Sequence, residues 1–274
     1  MNHDKTTQAE LATFLCITFA LSSLWYWLII RAGGLNHASR YVVALMWSPA
    51  CAAIITQLTF HRTLRGLGWR LPALRWAALA YAVPLAYATV AYGAVWLAHL
   101  GGLDLSRAPH RMLLFVSLGT LISIATATGE EIGWRGFLVP ALARTMSLGR
   151  LTLVSGVIWA VWHMPLILFA DYNAGTTTWY AVFCFTISVI SLSLPLAWLR
   201  LRSESLWPAA LVHASHNLYV QGFFDRVTVD TGTTRWLTGE FGAALSVTIA
   251  VTAFLFWRAR NAVPGTAQLM EDRS

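Results

Sequence analysis

Residues 125–137, ATATGEEIGWRGF, place two adjacent glutamates and an arginine inside a long apolar segment. Ionisable side chains at membrane depth cost several kcal/mol unless they pair with one another or face a polar interior. The stretch therefore predicts a membrane helix that turns Glu130, Glu131 and Arg135 toward the inside of a helix bundle.

The composition of the whole chain also indicates a membrane protein. Of its 274 residues, 57% are hydrophobic and 11% are charged, against roughly 45–50% and about 25% in soluble domains. Apolar stretches close to the length that crosses a bilayer lie at 11–30, 41–60, 76–100, 112–143, 150–170, 178–199, 205–224 and 238–257. We therefore predict an all-α fold, a polytopic membrane helix bundle of about eight transmembrane helices enclosing a polar intramembrane cavity.

The positive charges of the chain separate into two unequal sets. Eight crossings place twelve Lys and Arg residues on the side of the termini and six on the other side. Because cytoplasmic loops carry an excess of Lys and Arg, this predicts both termini in the cytoplasm. We expect an integral protein of a bacterial plasma membrane. The same sorting explains the net charge of +7 with no nucleic acid partner.

Two further polar clusters lie in other apolar stretches. His163 is in the fifth stretch, and His213 and Asn217 are in the seventh. Glu130, His163 and His213 each lie 11 to 14 residues from an arginine on the side of the termini, or roughly 16–21 Å at 1.5 Å per residue. Separate helices can therefore bring these groups together at one level of the bilayer.

Spacing along the helix of residues 112–143 gives the two glutamates different tasks. Glu131 and Arg135 are four residues apart and share a helix face, which predicts a local ion pair. Glu130 is rotated by about 100° from its neighbour, so it can point into a cavity while Glu131 is held by the arginine. The small residues at 123–129 would let another backbone approach closely.

The three clusters together resemble the signature of the CPBP family, which comprises the CAAX proteases and bacteriocin-processing enzymes. The matching motifs are Glu130-Glu131-x-x-x-Arg135, Trp159-x-x-x-His163 and His213-x-x-x-Asn217. The resemblance covers roughly residues 115–225. The family usually has Phe where this chain has Trp159, and we expect that change to affect packing more than chemistry.

The resemblance implies a division of the chain and a function. It predicts N-terminal transmembrane helices at 1–110, a catalytic core at 111–225, a final transmembrane helix at 226–257 and a cytoplasmic tail at 258–274, the last predicted to be disordered. It implies an intramembrane endopeptidase that cuts a membrane-associated peptide or a lipidated, CAAX-like protein. We expect the partners to be membrane lipid and this substrate, which enters from the cytoplasmic leaflet.

The resemblance also implies roles for individual residues. Glu130 and His163 would activate a water, and His213 with Asn217 would support the oxyanion. Three further residues would shape the site: Glu131, Arg135 and Trp159. His216 is interpreted as structural.

Several alternatives stay open at this stage. A Zn²⁺ ion held by Glu130, His163 and His213 could activate the water instead, although the chain lacks an H-E-x-x-H motif. We favour the scheme in which Glu130 is the base and no metal is needed. A different class of function is a non-catalytic immunity or scaffold protein of the same fold, and a third is a transporter that relays protons through Glu and His residues.

Overall fold

The computed structural model describes residues 2–263, with side chains from Lys5 onward. Most of the tail that the sequence predicts to be disordered, residues 264–274, lies outside the described residues.

Eight helices make up the fold over residues 2–263 and confirm the predicted polytopic bundle. They are α1 Asn2–Arg31, α2 Ser39–His61, α3 Leu74–Leu97, α4 Met112–Leu142, α5 Leu148–Phe169, α6 Thr178–Ser203, α7 207–227 and α8 Ala243–Arg258. The first six are long and apolar enough to cross a membrane, whereas α8 is shorter. The eighth predicted span, 238–257, begins too early, because α8 starts at Ala243.

Consecutive helices run in opposite directions, so the loops gather at two ends of the bundle. At the terminal end, Glu10 of α1 contacts Arg144 at 2.7 Å and His61 at 3.1 Å. At the distal end, a two-residue strand, β1 Gly102–Leu103, pairs antiparallel with β2 Thr228–Val229. The loops of the distal end are 32–38, 98–111, 170–177 and 228–242.

Two of the helices that carry motifs change their winding beside the polar residues. Helix α4 continues past Glu131 as a π-helical stretch, Ile132–Leu138, and α7 becomes π-helical over Asn217–Phe224. Pro140 follows the first stretch and has no N–H to donate to the preceding turn. Such stretches are frequent at functional sites because they re-aim side chains within a helix.

Glycines in α4 allow α2 to pack closely beside the two adjacent glutamates. A Cβ atom on Gly129 would lie 2.8 Å from the Met46 carbonyl oxygen, and one on Gly133 would lie 2.4 Å from Cβ of Pro49. These separations are below any normal contact, so the two helices can pack this closely only with glycine at both positions. The predicted close approach of a neighbouring backbone is therefore confirmed.

Candidate active site

A single cavity collects the polar residues that the three motifs predicted to meet. Glu130 of α4, His163 of α5, and His213 and Asn217 of α7 all line a cavity of about 210 Å³. Its remaining wall is mostly apolar. The predicted convergence of three helices is confirmed, while the chemical role of each side chain stays a prediction.

The carboxylate of Glu130 is held by the indole of Trp159. The Trp159 Nε1–H donates to Glu130 Oε2 at 2.8 Å, and both residues are buried, with 2% of Glu130 and 3% of Trp159 exposed. A phenylalanine has no such donor. Tryptophan therefore adds a hydrogen bond to the candidate base that phenylalanine could not make, and its effect on the chemistry stays a prediction.

The imidazole of His163 is fixed in one tautomer by its own helix. Its Nδ1 lies 2.9 Å from the Trp159 carbonyl oxygen, which can only accept, so Nδ1 carries the proton. The ring packs against Trp162 at 4.8 Å and Phe185 at 4.9 Å between centroids. In the neutral ring, Nε2 is therefore an acceptor that can orient a water.

Glu131 joins Arg135 and His213 behind the cavity wall. Arg135 donates to Glu131 Oε1 at 3.0 Å, and His213 Nδ1 lies 2.9 Å from the same oxygen. The predicted ion pair at a spacing of four is confirmed, and the carboxylate also orients the histidine. The Arg135 guanidinium carbon lies 4.1 Å from the ring centroid of Trp159, a cation–π contact that fixes the indole in turn. Glu131 and Arg135 thus support the site from outside the cavity.

The side-chain amide of Asn217 is unengaged within the described part of the chain. Asn217 is half-buried at the cavity wall, and among residues 2–263 no hydrogen bond engages its amide. It lies one helical turn beyond His213, so both can offer donors to the same region of the cavity.

The zinc alternative does not fit the arrangement of its three candidate ligands. Glu130, His163 and His213 share the cavity, but in the described part of the chain no three His, Cys, Asp or Glu side chains lie close enough to hold a metal ion. One oxygen of Glu130 is bonded to Trp159 instead. The choice between the glutamate-base scheme and the metal-dependent one stays a prediction.

A second polar group in the cavity was missed by sequence reasoning. The Tyr172 hydroxyl donates to Glu240 Oε2, and His216 Nε2 lies 3.3 Å from Glu240 Oε1. His216 Nδ1 is in turn 2.5 Å from the Tyr87 hydroxyl. His216, Glu240, Tyr172 and Gln221 all line the cavity, so His216 does more than fill space in the core.

The surroundings of Glu240 set its charge. Burial alone would raise the pKa of Glu240, but the hydrogen bonds and charge of His216, with the hydrogen bond from Tyr172, lower it to about 2. Burial and the neighbouring carboxylate together raise the pKa of Tyr172 well above its ordinary value. The signal available in the sequence was an ionisable residue inside the predicted span 238–257.

A second cavity, the vestibule, lies beside the first at the distal end of the bundle. The vestibule has a volume of about 650 Å³ and shares Leu35, Tyr172, Gln221 and Glu240 with the first cavity. If both termini are cytoplasmic, this opening faces the other side of the membrane. The predicted topology and the predicted access from the cytoplasmic leaflet therefore cannot both hold for a substrate that uses the vestibule.

Known proteins resemble the segment that carries the motifs. Residues 112–219 match the family model described as type II CAAX prenyl endopeptidase Rce1-like. The chain is also 31% identical over 111 residues to CAAX prenyl protease 2 of Methanococcus maripaludis, which covers 38% of this chain. The matched segment of this chain spans about 40% of the length of that curated relative. Residues 112–219 are therefore similar to the CAAX proteases, the family that the three motifs indicated.

Proposed function

We propose that this protein is an intramembrane endopeptidase that hydrolyses a peptide bond of a membrane-associated, CAAX-like protein or peptide. The observation that carries the proposal is the cavity in which Glu130, His163, His213 and Asn217 meet. The likeness of residues 112–219 to CAAX proteases supports the same reaction class.

Water activation is assigned to Glu130 and His163. The indole of Trp159 holds one carboxylate oxygen of Glu130, and the other accepts a proton from a water that His163 Nε2 orients. The water oxygen then bonds to the carbonyl carbon of the substrate. Glu130 returns the proton to the departing amine nitrogen as the C–N bond breaks, which restores the carboxylate.

Stabilisation of the oxyanion is assigned to His213 and Asn217. The carboxylate of Glu131, which binds Nδ1 of His213, favours the doubly protonated ring, whose Nε2–H then donates to the oxyanion. The Asn217 amide supplies the second donor. In other enzymes the loss of one such donor costs about 2.7–4 kcal/mol of transition-state stabilisation.

We also propose a division of labour along the chain. Residues 111–225 would form the catalytic core, and the helices within 1–110 would cover it, as α2 does at Gly129 and Gly133. The segment 226–257 would close the cavity from the distal end through Glu240. The protein is integral to the membrane, and the cytoplasmic position of both termini stays a prediction.

Cleavage of reporter peptides by the purified protein tests this function. In detergent, we expect cleavage of a lipidated reporter, slower cleavage of the same peptide without lipid, and unchanged rates after a strong chelator. Loss of activity with the chelator and its return with Zn²⁺ would replace the glutamate scheme by a metal-dependent one. Intact peptides that still bind would favour the immunity or scaffold alternative.

Trp159→Phe should separate the hydrogen bond of the indole from its bulk. Because one hydrogen bond to a charged group is worth about 1.5–3 kcal/mol, we expect kcat to fall by roughly tenfold to a hundredfold while KM changes little. The matched control is Trp198→Phe, which removes an indole donor to the Ala259 carbonyl at the terminal end. Equal kcat in the Trp159→Phe variant and the wild type would show that the hydrogen bond does not position Glu130.

A further inference from the structure

Two arginines at the terminal end of the bundle lie beside one indole ring. Arg75 is the second residue of α3, and Arg202 is the second-last residue of α6. The guanidinium carbon of Arg75 lies 4.9 Å from the ring centroid of Trp76, and that of Arg202 lies 5.7 Å from the same centroid. Such cation–π contacts leave the N–H donors of a guanidinium for other partners. We call Arg75, Trp76 and Arg202 the arginine–indole cluster.

Neither arginine of the cluster has an acidic partner. Both are exposed, and among the side chains of residues 5–263 no carboxylate and no hydrogen bond engages either guanidinium. The carboxylates of the terminal end in this part of the chain are bound elsewhere. Glu10 pairs with Arg144 at 2.7 Å, and Glu204 pairs with Arg70 at 3.8 Å. Since two positive charges beside one ring repel each other, an anion that contacts both would relieve the repulsion.

The indole of the cluster is held in place by three helices. Trp76 packs edge-to-face against Trp198 of α6, at 5.6 Å between ring centroids. Trp198 packs in turn against Phe256 of α8 at 5.3 Å, and its Nε1–H donates to the Ala259 carbonyl oxygen at 3.0 Å. The two guanidiniums are therefore arranged before any ligand binds, which lowers the entropic cost of binding.

The cluster lies at the level of the lipid headgroups, beside exposed apolar side chains. Helices α3 and α6 are both long and apolar enough to cross a membrane, and the two arginines are at the ends of these helices. Leu71 is 79% exposed and Leu74 is 82% exposed. Arginines next to protruding leucines suit an amphiphile that carries both a negative group and an acyl chain. A free phosphate ion would use the arginines alone.

We infer that the arginine–indole cluster binds the phosphate group of an anionic phospholipid in the leaflet at the terminal end, with Leu71 and Leu74 against its acyl chain. The guanidinium of arginine matches phosphate oxygens through two parallel N–H bonds. A zwitterionic phospholipid carries a cation on the same headgroup, so two arginines attract it less. The vestibule is at the opposite end of the bundle, so this lipid would not occupy the candidate active site.

Native mass spectrometry of the full chain in detergent tests the inference. The dissociation constants are measured for phosphatidylglycerol and phosphatidylcholine with the same acyl chains. We expect phosphatidylglycerol to bind the wild type roughly tenfold to thirtyfold more tightly, the effect of two arginines at an anionic surface. The double variant Arg75→Gln/Arg202→Gln should lose most of this preference. Equal dissociation constants of the two lipids for the wild type, or an unchanged preference in the double variant, would overturn the inference.

Arg65→Gln/Arg150→Gln is the matched control for the loss of two positive charges. Both arginines are exposed at the terminal end, and in the part of the chain that the structure describes neither side chain contacts a carboxylate or an indole. This variant should keep the preference of the wild type, whereas an equal loss would show diffuse attraction to a positive surface and no discrete site. Displacement of phosphatidylglycerol by an equal concentration of inorganic phosphate would overturn the assignment to a lipid. No peptide is cleaved in these measurements, so their outcome is independent of the proposed endopeptidase function.

Discussion

Glu130→Gln is expected to slow peptide cleavage by about 10²–10⁴-fold, the usual contribution of a general base. Glutamine has nearly the same size and keeps an oxygen that accepts from the Trp159 indole, but it cannot take a proton from water. Single-turnover cleavage rates measure the effect, and the thermal stability of the purified variant should stay close to that of the wild type.

Glu204→Gln serves as the matched control, because it makes the same chemical change at an exposed position just after α6. It should cleave at the rate of the wild type. If Glu130→Gln cleaved the peptide as fast as the wild type, Glu130 would not be the catalytic base, even though it lines the cavity.

Glu131→Gln, one residue further along, should act on stability first. Glu131 is the shared partner of Arg135 and His213, with 0% of its side chain and 1% of the arginine side chain exposed. Removing one partner of a buried ion pair leaves an uncompensated charge and costs about 3–5 kcal/mol. We expect a loss of that size in the free energy of unfolding, measured by denaturation in detergent.

The two adjacent substitutions are controls for each other. Both replace a buried glutamate by glutamine, yet Glu130→Gln should lose rate with stability retained, and Glu131→Gln should lose stability. If the free energy of unfolding of Glu131→Gln equalled that of the wild type, the glutamine amide would replace everything that the ion pair contributes to stability.

The apolar stretches and the spacing of polar residues predicted most of the fold and part of the site. The long apolar stretches predicted the helices because a helix must cover the bilayer core, whatever packs beside it. A spacing of four predicted the Glu131–Arg135 pair, since both residues belong to one helix. Counting residues from the terminal side of the bilayer was enough to predict that Glu130 and His163 share one cavity, because both lie at a similar depth on separate helices.

Contacts that depend on how two helices face each other could not be predicted. The indole of Trp159 reaches Glu130 only because α4 and α5 pack in one particular rotation, which the sequence of neither helix states. Glu240 was hidden for a different reason. An apolar pattern locates the end of a span only to within a few residues. The predicted span 238–257 therefore included Glu240, which lies in the loop before α8 begins at Ala243.

Cleavage in water enriched in ¹⁸O tests the central claim most directly. The account predicts that the wild type produces a new C-terminal carboxylate containing one ¹⁸O atom, detected by mass spectrometry, and that Glu130→Gln forms no such product at the same protein concentration. An equal yield of labelled product from Glu130→Gln, or a wild-type product without the label, would contradict hydrolysis by a water that Glu130 activates.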